Sequence, residues 1–109
     1  MSTSTTDIET FEIILTRRMA MVEATLCAKG KEYSTSEDRL INFKVAGALQ
    51  GISAEKALLG FVAKHIVALY KFVNQPAGEV TDAQWEEKIG DIIVYMVLLE
   101  ALLAERQRN

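Results

Sequence analysis

The 109 residues contain one cysteine, one proline and one histidine. A lone thiol, Cys27, rules out a disulfide within the chain and fits a reducing cytoplasm. One cysteine and one histidine, His65, are too few ligands for a structural zinc site. Excess positive charge is also lacking: 12 basic residues face 15 acidic ones, a net charge of −3. That balance argues against a partner of double-stranded nucleic acid, which a protein grips by displacing counterions with a basic face. No apolar run approaches the roughly 20 residues that span a bilayer. The longest, Ile92 to Leu99, stops at Glu100, so no membrane partner is expected. The opening MSTSTTDIE has neither the positive charge nor the apolar block of a signal peptide, which reads as a cytoplasmic protein. There is no internal repeat, no glycine-rich phosphate loop and no Ser/His/Asp set.

What the chain does have is apolar residues, half of the total. At this length folding into one domain buries roughly 60–70% of the unfolded surface. That leaves apolar surface to spare for a partner. Residues 1–6, rich in Ser and Thr, offer nothing to bury and are expected to be a disordered tail, followed by a single helical domain over 7–109. With Pro76 the only proline and six glycines, a 3.6-residue rhythm predicts an all-α protein, a compact four-helix bundle.

The first helix is expected from about Asp7 to Ala28, opened by a Thr6/Glu9 capping box and stopped at Lys29-Gly30-Lys31. Its stripe of Phe11, Leu15, Met19, Val22 and Leu26 predicts a core-facing surface. The stretch KEYSTSEDRLINFKVAGALQG begins polar and turns helical toward Gly51, with Ser34/Glu37 or Ser36 as its cap. Ser53 predicts the cap of a third helix, with the stripe Leu58, Val62, His65, Leu69 and Phe72, ending near Asn74–Gly78. Thr81 with Gln84 predicts a capping box for the last helix, which reaches toward Arg106. That helix is apolar on two sides, Trp85/Ile89/Ile92/Met96/Leu99/Leu103 and Val94/Tyr95/Leu98/Ala101/Leu102. This predicts a homodimer or homotetramer associating through the C-terminal helix.

Glu87 and Asp91, one turn apart, continue the second of these faces, where carboxylates need a partner. An antiparallel hairpin of the last two helices sets Lys64 level with Asp91 and His65 level with Gly90, so that Lys64 is expected to neutralise the acids. Upstream, Lys29, Lys31, Tyr33, Arg39, Asn42 and Lys44 gather cations, an aromatic face and an amide. These suit a phosphorylated ligand or a base, and equally an ordinary solvated loop.

The order K-G-K-E-Y, D-R-L-I-N-F-K, A-K-H-I-V and E-K-I-G-D-I-I-V-Y-M-V-L-L-E, over about residues 29–103, resembles short phage and prophage proteins of largely undefined role. The last motif is also similar, more distantly, to the Glu-Glu-x-x-Asp helix of MazG-like nucleoside triphosphate pyrophosphohydrolases and the related nucleotide-modification-associated domain. The resemblance implies an all-α oligomer in the cytoplasm of a phage-infected or prophage-bearing bacterium. It implies magnesium or manganese on Glu87 and Asp91, completed by Glu55 or an acid of another subunit, and water attacking within a triphosphate. Lys29, Lys31, Arg39 and Lys44 would then hold phosphates, with Tyr33 or Asn42 on the base. Lys88 stands where the family has its second glutamate, and Lys64 and His65 stand where the partner helix would carry Glu-x-x-Glu. Three readings follow: a metal-dependent hydrolase; a non-catalytic nucleotide binder, in which Lys64 stands in for the metal and Lys64 and His65 join the basic stretch at the ligand; and an oligomeric module for a protein partner.

Overall fold

The computed structural model describes residues 6–32 and 38–108, the side chains of 28–32 excepted. The described residues form four helices and no strand: α1 (Ile8–Glu32), α2 (Ile41–Gln50), α3 (Ala54–Val73) and α4 (Asp82–Arg108). None of them is long and apolar enough to cross a membrane.

The helix starts show which polar residues outcompete water for the unpaired N–H groups of a first turn. The Ser53 hydroxyl accepts from the Lys56 N–H at 3.2 Å. At α4 the capping box is reciprocal: Gln84 N–H donates to Thr81 Oγ1 at 3.1 Å, and Thr81 N–H donates to Gln84 Oε1 at 2.9 Å. The α1 cap differs from the expected Thr6/Glu9 pair. Asp7 Oδ1 accepts from the Thr10 N–H at 2.7 Å, and this bond holds the Asp7 carboxyl below its ordinary pKa. A carboxylate adds attraction to the positive helix end, which a threonine cannot. The expected stop at Gly30 also fails, since α1 continues to Glu32. A glycine inside a helix costs only about 1 kcal/mol, whereas the glycine that does end a helix here, Gly51 after α2, is in the left-handed conformation (φ 70°). The cap candidates Ser34, Ser36 and Glu37 and the tail residues 1–5 lie outside the described residues.

α2 and α3 form a tight hairpin around Gly51–Ser53. Its closest approach is at Gly47, where an added Cβ would lie 2.7 Å from the Ile52 carbonyl oxygen and 3.0 Å from the Ser53 backbone. α3 and α4 are antiparallel around the 74–81 turn. Phe72 meets Trp85 edge-on at 5.2 Å, and Phe61 stacks with Tyr95 at 6.3 Å. The core lies between the start of α2, the first half of α3 and the second half of α4, around Leu40, Leu58, Val62 and Leu102. Lys44 ties the end of α4 to the approach of α2, with 2.5 Å bonds to Asp38 and Glu105.

α1 runs parallel to α4 and, among the described helices, packs on it alone. Arg18 lies beside Glu86 and Gly90, and Val22 is buried. The expected core stripe of α1 is therefore only half fulfilled: Phe11, Leu15 and Met19 are 58%, 49% and 50% exposed. No other helix reaches that part of α1. The result is elongated, 55 × 28 × 26 Å with a radius of gyration of 17.0 Å, against about 13 Å for a compact domain of this length. On α4, Val94 and Leu102 are buried by the chain's own α1 and α3, while Ile89 and Leu103 are about two-fifths exposed.

Gly47→Ala should destabilise the fold by roughly 1–3 kcal/mol, because backbone and not a flexible side chain must give way. In a domain near 100 residues this lowers Tm by about 4–8 °C per kcal/mol, readable in a thermal melt. Hydrogen bonds to Asp38 and then Glu105 raise the Lys44 pKa. The stability this contributes is present below the ordinary lysine pKa and is lost as pH rises through the raised one. Glu105→Gln should therefore bring alkaline unfolding to a lower pH, followed by circular dichroism.

Candidate functional site

Helical spacing brings one face of each of three elements to a common cleft of about 350 Å³. Phe61 and His65, one turn apart on α3, form one wall. Asp91, Val94, Tyr95 and Leu98, at successive turns of α4, form the second. Arg39, Asn42 and Phe43, at the head of α2, form the third, and Leu26 of α1 closes an end.

Three rings make the apolar part of the lining. Phe61 and Tyr95 are parallel to within 5°, and Phe43 stands edge-on to both, at 6.1 and 6.2 Å. His65 is tilted against Tyr95 at 5.5 Å. Burial, and secondarily the nearby Asp91 charge, raises the Tyr95 phenol pKa, so the hydroxyl stays protonated and able to donate.

The polar part centres on His65 and Asp91. His65 Nδ1 lies 3.7 Å from Asp91 Oδ2, beyond hydrogen-bond length. The same nitrogen is buried and has no hydrogen-bond partner, a condition that costs free energy until something supplies the bond. Arg39 donates from Nη2 to the Leu26 carbonyl at 2.5 Å. That bond uses one of five guanidinium N–H donors.

The expected site residues divide as follows. Arg39, Asn42, His65 and Asp91 converge on the cleft. Lys44 does not line it, being held between Asp38 and Glu105. Lys64, expected opposite Asp91, is exposed, with its Nζ 5.8 Å from the centre of the Phe61 ring. The hairpin register places His65 against Asp91 instead, and one residue of slip turns a helical side chain by about 100°. Lys29, Lys31 and Tyr33 lie outside the residues whose side chains are described. Phe43, Phe61 and Tyr95 carry no site expectation in the sequence reading. Their signal was the i, i+4 spacing from Arg39, His65 and Asp91, which puts each aromatic on a polar residue's own face.

Glu87 and Asp91 share a second cleft of about 290 Å³ on the α1 side of α4. Glu87 is exposed there. Arg18 also lines this cleft, donating from Nη1 to the Glu86 carbonyl at 3.3 Å, while Arg17 pairs with Glu86 at 2.7 Å. Magnesium demands a near-octahedral shell of oxygens. Here two carboxylates share their space with a guanidinium, and Glu55, ten residues before His65, is about 15 Å away along α3. Among the described residues no three His, Cys, Asp or Glu side chains group to hold a metal. The donor set does not fit the metal centre that the resemblance implies.

Asp91→Asn should lower the Tyr95 pKa while leaving it above the ordinary phenol value, because burial, the larger cause, remains. An ultraviolet titration compared with Tyr95→Phe isolates this group from the other tyrosines.

Protein-family models, curated proteins and solved structures provide no match to this chain.

Proposed function

We propose that the chain is a nucleotide-binding protein of MazG-like ancestry that holds its ligand in the aromatic cleft without a metal. The observation that carries this reading is the convergence of Arg39, Asn42, His65 and Asp91 on a cleft walled by Phe43, Phe61 and Tyr95. Aromatic faces stack on bases of any sequence. The Asn42 amide and Asp91 carboxylate suit the donors and acceptors of a base edge, and the remaining Arg39 N–H groups suit phosphate oxygens. The unpartnered His65 Nδ1 gains a bond that the free protein lacks. The volume falls within the roughly 300–1,000 Å³ of small-molecule sites.

Binding without hydrolysis is preferred because the carboxylate set for magnesium or manganese is incomplete among the described residues. The resemblance supports a phage or prophage setting, in the cytoplasm of the bacterial host, with the nucleotide pool as the object of binding. The exposed apolar face of α1 favours a further property, self-association, with α1 rather than α4 offering the larger unpaired surface.

A thermal-melt panel of nucleoside mono- and triphosphates, with and without magnesium or manganese, tests the reading. A ligand at a hundred times its Kd stabilises by about 2.7 kcal/mol, a Tm rise of roughly 10 °C or more in a domain of this size. We expect a rise that needs no metal and is lost in Asn42→Ala. A rise that appears only with metal would restore the carboxylate centre. No rise with any nucleotide would end the nucleotide reading.

A further inference from the structure

Among the described residues, apolar faces are left open on α1, on α3 and, through Ile41, Val45 and Leu49, on α2; those of α1 and α3 agree in length. On α1, Ile8, Phe11, Leu15 and Met19 continue the line of Val22 and Leu26, but are 79%, 58%, 49% and 50% exposed. Arg18 is already level with Glu86, so the first residues of α1 run past the start of α4 at Asp82. On α3, Leu59, Ile66, Val67, Tyr70 and Val73 lie outside the Leu58/Val62/His65 side that meets α4 and are 46%, 38%, 52%, 68% and 65% exposed. At about 100° per residue these five cover roughly a third of the helix circumference, beside and not on the α4-facing side. The lengths agree, about 17 Å for Ile8–Met19 and about 21 Å for Leu59–Val73 at 1.5 Å per residue.

Along one edge of each face the flanking charges are opposite. At about 100° per residue, Glu12 and then Glu9 follow one edge of the α1 stripe, and Lys56, Lys71 and Lys64 follow the Val67 edge of the α3 face, with Glu55 on its other edge. Within one chain the two faces do not meet, because among the described helices α1 packs on α4 alone.

We propose that the N-terminal half of α1 packs on the outer face of α3 of a second copy of this chain, each copy giving one helix and receiving one. Such an exchange is closed and two-fold symmetric, leaving neither face for a third copy. It covers the extension that makes the single chain elongated. It also gives the basic edge of α3, which the cleft does not use, an acidic counterpart. The interface is separate from the nucleotide reading, and its failure would leave the melt panel's outcome unaffected.

The test is the mass of the full chain by sedimentation equilibrium at tens of micromolar, with helix content followed by circular dichroism. The wild type should run at twice the chain mass. Phe11→Glu and Val67→Glu, both at exposed positions, should each run at one chain mass with unchanged helix content. An equimolar mixture of the two variants should recover part of the two-chain species, because one α1–α3 contact in the mixed pair is intact. A wild type at one chain mass would overturn the proposal, whether or not it binds lipid vesicles. So would a Val67→Glu variant that stays at two, which would place α1 against something other than α3.

Discussion

The antiparallel register of α3 against α4 is the constraint on which the rest of the molecule depends. It is set at one end by the 74–81 turn and the Thr81/Gln84 capping box, and along its length by Phe72 on Trp85 and Phe61 on Tyr95. In this register the apolar stripe of α3 meets α4, and His65 meets Asp91. A slip of one residue would put Lys64 in that place and take the imidazole out of the cleft. The same register brings Leu58 and Leu102 into one core cluster, so packing and site geometry are fixed together.

Much of this was legible in the sequence, because local chemistry and tertiary structure agree there. Ser53 and the Thr81/Gln84 pair cap the helices they were expected to cap, and Leu58 and Val62 are buried as their stripe requires. Arg39 and Asn42 belong to the cleft as residues of a basic, aromatic stretch. The readings that failed turn on small energies or small angles. Asp7 displaced Thr6 as the cap by a charge effect of a fraction of a kcal/mol to about 1 kcal/mol. Gly30 did not stop α1, because glycine ends a helix reliably only where the chain also adopts the left-handed conformation. His65 replaced Lys64 through one residue of register, finer than a hairpin sum resolves.

The α1 stripe illustrates a different limit. Its periodicity identifies an apolar face, and the structure carries that face from Ile8 to Leu26. Periodicity does not specify what covers the face. Here α4 reaches Val22 and half-buries Leu26, while Phe11, Leu15 and Met19 remain open. A stripe is a demand for burial, and the chain's own helices meet only part of it.

Asp91 and Val94 line both clefts, so α4 is a partition with one carboxylate common to its two sides. A substitution at either position therefore alters both linings at once, and neither cleft can be reshaped through this turn of helix independently of the other.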